Sequence, residues 1–174
     1  MSVSEPNRFS DADTSPAPPW LSALRLYLLV SLTLHLAWEI LHLPLYTLWR
    51  TSTWRELAFA IAHCTLGDGL IALATLAIGV IVAGRAEWPR RGMAVVATVT
   101  IALGIAYTAY SEYHNVYVRR AWAYADAMPV VVVLGWRIGI SPLLQWLAVP
   151  GAAFWIMARR FRHRPLTPTD AATP

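Results

Sequence analysis

Stretches of roughly 20 to 28 apolar residues, parted by short clusters of charge, are the feature that most restricts this chain, because each is as long as a helix needs to cross a ~30 Å hydrocarbon layer. With 57% hydrophobic and only 14% charged residues among 174, the sequence is too apolar for an ordinary water-soluble domain. The spacing predicts an all-α polytopic membrane helix bundle of one domain. Its spans are expected at about Leu21 to Trp49, Leu57 to Gly84, Met93 to Glu112 and Ser141 to Arg159. Ser141-Pro142 reads as an N-cap followed by proline at the first helical position.

Between the third and fourth spans, the apolar run Met128 to Gly135 is too short to cross and is bounded by Pro129 and Gly135, so a re-entrant or interfacial segment is expected there. The organisation is then a disordered tail over 1–20, a transmembrane bundle over 21–161 and a basic tail over 162–174. Residues 1–20 are polar and proline-rich without a basic start, unlike a secretory signal peptide.

Every basic side chain apart from histidine is arginine, and their distribution orients the bundle. Four spans put nine on one side: Arg8, Arg25, Arg85, Arg90, Arg91, Arg159, Arg160, Arg162 and Arg164. Five fall on the other: Arg50, Arg55, Arg119, Arg120 and Arg137. The basic side faces the cytoplasm by the positive-inside tendency, giving a multi-pass protein of a bacterial inner membrane with both termini cytoplasmic. A fifth span over residues 121–136 would move the C-terminal arginines outside. Because the arginines bracket spans and do not form one face, nucleic acid is excluded as a partner in favour of the lipid bilayer. The lone Cys64 excludes an internal disulfide framework.

The ionisable residues within the spans collect in the outer half of the predicted bundle. His35, Glu39 and His42 lie within roughly 60° of one another on the first helix, joined by Ser31, Trp38 and Tyr46. Such a stripe is costly against lipid and must face other helices or a wet cavity. The second span contributes His63 and Asp68, and the third ends at Glu112 and His114. His63 and Asp68 lie about 140° apart on their helix, so His35, Glu39, His42, His63 and Glu112 are the first candidates, with Asp68 and His114 behind them.

Several chemistries suit this set. Glu and His at helical spacing on facing helices are typical ligands of bundle metal sites, for which zinc, iron or copper is the expected ion, to be transported, handled or used in metal-dependent chemistry. A b-type haem between His35 or His42 and His63 is a less economical alternative, since it leaves the carboxylates unexplained. Glu39, Asp68 and His63 also have the makings of a proton relay for a carrier, although four spans would then call for a homodimer. The plainest alternative is a structural membrane subunit whose polar network holds helices in register.

Two resemblances bear on the choice. Ser111-Glu112-Tyr113-His114-Asn115-Val116, Arg119-Arg120-Ala121-Trp122-Ala123-Tyr124, Met128-Pro129 and Gly139 through Trp146 resemble a group of uncharacterised bacterial multi-pass membrane proteins, which implies no activity. The pair His35 and Glu39, spaced His-x-x-x-Glu on a membrane helix, is similar to one in the emopamil-binding, or EXPERA, family of sterol isomerases and lipid-binding proteins. That resemblance implies an enzyme or binding protein for an apolar small molecule, with Glu39 and His35 as catalytic acid and base and Asp68 as a further acidic group. This chain departs from the family pattern in having Gln145 and Trp146 adjacent and in offering no role for His42 or His114.

Overall fold

A computed structural model describes residues 19–84 and 88–162. The first long helix, α1, runs Pro19–His42. It is shorter than the apolar run that encodes it, because Pro44 falls in a one-turn 3-10 helix, Leu43–Leu45, where its missing N–H and fixed φ break the α-helical ladder. A short helix α2, Leu48–Thr51, leads to the second span, α3, Trp54–Ala83.

A capping box starts α3. The Thr53 N–H donates to Glu56 Oε2 at 2.7 Å and the Glu56 N–H donates to Thr53 Oγ1 at 3.4 Å, so two backbone donors at the helix entry are satisfied reciprocally. The third span, α4, is Met93–Tyr113 and continues through a π-helical turn, His114–Val118. The last, α5, is Ile140–Arg162 and carries Pro150 in its interior. It begins one residue before the Ser141 expected as its cap, and the Ser141 hydroxyl turns instead toward α1.

The segment expected to be re-entrant or interfacial folds as an antiparallel hairpin of β1, Val130–Val133, and β2, Trp136–Gly139. Four consecutive valines favour strand over helix, since β-branched side chains fit a pleated surface. The turn is Leu134-Gly135 with φ of 50° and 85°, the left-handed pair of a type I′ hairpin. Trp136 anchors the hairpin against α4 and its extension, its ring centroid 4.9 Å from Tyr113 and 4.8 Å from Tyr117.

The four long helices run up and down in a closed ring in which α1 and α4 each pack on both α3 and α5. All four are long and apolar enough to cross a membrane. The pattern of burial is that of a protein solvated by lipid. Inward positions on α1 are Ala23, Tyr27, Ser31, His35, Glu39 and His42, and on α4 they are Val96, Thr100, Gly104, Thr108 and Glu112. Leu29, Leu41, Leu66, Leu70 and Phe59 point outward, an exposed apolar surface that a bilayer accommodates and water does not.

The two halves of the bundle differ in character. Away from the hairpin, Ala23, Tyr27, Ala72, Leu76, Val96, Phe154 and Met157 form a hydrophobic core. Gly79 lets α3 approach α4 until a Cβ there would lie 2.9 Å from the Val96 carbonyl oxygen. Toward the hairpin the packing gives way to a polar cluster and a cavity. The tails expected over 1–20 and 162–174 lie outside the described residues, except that residues 19 and 20 open α1 and Arg162 ends α5.

Candidate functional site

The polar stripe of α1 faces the bundle interior as its spacing requires. His35 is 1% exposed, and its Nδ1 lies 3.3 Å from Asp68 Oδ2 on α3 and 2.8 Å from Gln145 Nε2 on α5. The same amide nitrogen of Gln145 donates to Asp68 Oδ2 at 2.9 Å and to Glu39 Oε1 at 3.1 Å. One side chain from α5 therefore ties together three titratable groups from two other helices.

One turn nearer the hairpin, His42 Nε2 stands 3.3 Å from Glu39 Oε2, while its Nδ1 lies 3.1 Å from Ser141 Oγ. Ser141 Oγ also accepts from the Trp38 indole at 3.3 Å. Ser141 Oγ thus bridges the Trp38 indole and one ring nitrogen of His42, while the other ring nitrogen of His42 faces Glu39. Glu39 therefore has a nitrogen partner at each oxygen, Gln145 Nε2 at Oε1 and His42 Nε2 at Oε2.

Gln145 Nε2 carries two hydrogens and faces three polar atoms, His35 Nδ1, Glu39 Oε1 and Asp68 Oδ2. His35 Nδ1 and Asp68 Oδ2 also face each other at 3.3 Å, so the four side chains form one connected polar set.

Trp146, the neighbour of Gln145, fixes the far side of His35. The two rings lie 5.1 Å apart at 48°, and the indole rests against Gly104 of α4, where any Cβ would overlap Trp146 Cε3. Glycine at 104 thus permits the close approach that seats Trp146 against His35.

Glu112 forms a second centre. It is buried and accepts from Tyr124 OH at 2.6 Å and from Tyr46 OH at 3.4 Å, and Tyr124 OH in turn accepts the Gly139 N–H at 2.9 Å. Burial and then the neighbouring carboxylate push both phenols above the usual tyrosine range, which keeps them protonated and donating. The loop after α1 and the segment before the hairpin hold this arrangement through two backbone bonds, Thr47 N–H to the Ala123 carbonyl and Ala125 N–H to the Leu45 carbonyl, each 2.9 Å.

Both centres border one cavity of about 530 Å³, within the range of pockets that hold small organic molecules. Glu39, His42, Asp68 and Gln145 lie on one wall and Glu112 on another, with Trp146, Tyr46, Ile71 and Leu43 among the apolar lining. His35 does not line it and stands behind Asp68 and Glu39.

Of the residues singled out from sequence, the structure joins His35, Glu39, His42 and Asp68 directly and sets Glu112 across the cavity. Asp68, ranked behind His63, belongs at the centre. His63 and His114 lie at the cavity's edge, stacked on Phe59 and Tyr110 of their own helices at 5.7 and 5.8 Å. Among the described residues, no three His, Cys, Asp or Glu side chains are grouped to hold a metal ion. The point where His35, Glu39 and Asp68 converge is filled by the Gln145 amide nitrogen.

Gln145 itself was not among the candidates, although the apolar surroundings of a lone amide in the fourth span were a signal. Comparison with known proteins returns no matching family model, no matching curated protein and no matching solved structure.

Proposed function

We propose that this membrane protein binds an apolar small molecule in the cavity and moves protons on it, with Glu39 and Asp68 as the groups that meet the ligand. The observation that carries this reading is the Gln145 amide, which holds His35, Glu39 and Asp68 in one hydrogen-bonded set beneath an apolar chamber. Two carboxyl groups facing the same ligand, one acting as acid and the other as base, suit the shift of a proton from one position of a substrate to another.

In this reading Asp68, placed against His35, passes a carboxyl proton to the ligand, and Glu39 takes one from a neighbouring position. The proton content of ligand plus site is unchanged, so no co-reactant is needed. His35 acts from behind Asp68 as a positioning and proton-holding group, and the similarity of the His35 and Glu39 pair to the emopamil-binding family points the same way. The arginine distribution supports a bacterial inner membrane with the hairpin and the cavity on the side away from the cytoplasm.

The test is deuterium incorporation. Purified protein in detergent is incubated with a membrane lipid extract in deuterated water, and the recovered neutral lipids are weighed by mass spectrometry against the Glu39→Gln and Asp68→Asn variants. Incorporation into one neutral lipid by wild type, lost in both variants, is expected. Stoichiometric metal in the purified protein, lost in a His35→Ala, His42→Ala double variant, would overturn the reading in favour of a metal centre.

A further inference from the structure

The route into the cavity is written in the contrast between the two ends of the α3–α4 pair. At Gly79 the helices touch, with the Val96 carbonyl and the Thr100 side chain both in the space a Cβ would take, and Thr100 Oγ1 donating to the Thr75 carbonyl at 3.4 Å. Twelve residues nearer the hairpin, about 18 Å along the same helix, Gly67 lines the cavity and a Cβ there would meet no atom within 4 Å.

The cavity wall changes character in the same direction. Its lining from α1 and α5, including Glu39, His42, Gln145 and Trp146, is buried, whereas its lining from α3 and α4 includes Phe59 at 71%, Tyr107 at 48% and Tyr110 at 59% exposure. These aromatic side chains pack along their own helices, Phe59 stacked on His63, Tyr110 stacked on His114 and tilted against Tyr107, and so flank the gap from either side. Phe59 and Tyr107 lie within helices long and apolar enough to span a bilayer.

We infer that the gap between the hairpin-end halves of α3 and α4 is a lateral portal, through which a ligand already dissolved in the bilayer enters from the hydrocarbon. This rests on the apolar-ligand reading above and extends it to the ligand's source. The occupant is a lipid-dissolved molecule with a slender apolar body and one small polar group, narrow enough to pass between two aromatic flanks and able to present that group to Glu39 and Asp68. A second opening, at the loop rim where Arg119 and Ala121 line the cavity and are exposed, faces the aqueous side. The half-buried Trp122 also lines the cavity, its ring 6.3 Å from that of the buried Tyr46, which in turn lies 5.3 Å from His42.

The probe is a long-chain alcohol carrying a photoactivatable diazirine, added to the full-length protein in phosphatidylcholine vesicles, with adducts mapped by mass spectrometry. Wild type is expected to carry adducts on cavity peptides containing Asp68 or Gln145. Gly67→Phe, which fills open space at the portal, should lose them, and Gly67→Ala and the rim variant Ala121→Trp should keep them. Adducts at the lipid-facing Leu29 peptide, equal in all four proteins, report intact insertion. Cavity adducts that persist in Gly67→Phe, or that vanish in Ala121→Trp, would overturn the portal while leaving the ligand site standing. An absence of cavity adducts in wild type would overturn both.

Discussion

Gln145 Nε2 lies 2.9 Å from Asp68 Oδ2, a bond that links the fourth span to the second across the centre of the bundle. Because the same nitrogen serves Glu39 and approaches His35, the helices α1, α3 and α5 meet at one amide. Replacing it tests whether the cluster is held by that group or by packing alone.

Gln145→Leu keeps the approximate volume and removes the donors, leaving Glu39 and Asp68 short of partners in a buried site. Each unsatisfied polar group costs about 1–3 kcal/mol, so a drop in the thermal midpoint in detergent is expected, together with loss of deuterium exchange. Gln145→Glu should be worse for exchange than for stability, because a third carboxyl group beside Glu39 and Asp68 competes for the proton that the proposed transfer uses. A Leu variant as stable and as active as wild type would show that the amide is incidental.

Gly104→Ala places a methyl group on top of Trp146 Cε3 and forces the indole off the α4 backbone. Overpacking of this kind costs about 1–3 kcal/mol. Since Trp146 also bounds His35, the same change should alter the near-ultraviolet dichroism of the tryptophans and weaken ligand retention together. A stable variant with unchanged dichroism would mean that α4 and α5 separate without consequence for the site.

How much of this was legible in the chain depends on what a single helix can reveal. The stripe His35, Glu39 and His42 was readable because spacing along one helix determines which side chains share its face, and polar groups on a leucine-rich helix have only the interior to go to. Asp68 was harder. Its distance around α3 from His63 is fixed by the sequence, but the rotation of α3 about its own axis is set by packing, and that rotation turns Asp68 inward and His63 to the edge. Gln145 was out of reach for a different reason, being more than a hundred residues from its partner on α1 and lying on a helix whose position in the ring no local pattern encodes. That the short segment between the third and fourth spans is a hairpin went unread, because Met128 to Gly135 was judged by its length against a bilayer and not by its run of β-branched valines.

Leu134 is 95% exposed and holds a φ of 50°, a left-handed conformation that costs a residue bearing Cβ about 1–2 kcal/mol. Leu134→Asn, which gives the Asn-Gly pair favoured in type I′ turns, should therefore stabilise the hairpin, read as slower amide exchange at Val131 and Val133. Faster exchange in that variant would show that the leucine side chain contributes to the hairpin through contacts of its own, outweighing the relief of backbone strain.

Tyr124 and Tyr46 both donate to Glu112, at 2.6 and 3.4 Å, and only Tyr124 also accepts from the hairpin through the Gly139 N–H. Tyr124→Phe should consequently cost more than Tyr46→Phe, by about 1–3 kcal/mol against less than about 1, and should loosen the hairpin where Tyr46→Phe does not. The phenol of Tyr124 ionises at a higher pH folded than unfolded, because burial and the Glu112 carboxylate both oppose its anion. A group raised in this way contributes stability that is whole below its unfolded pKa of about 10 and is lost as pH climbs beyond it. The wild-type midpoint should accordingly fall more steeply above pH of about 10 than that of Tyr124→Phe. Parallel alkaline profiles for the two proteins would mean that Tyr124 is not held against Glu112.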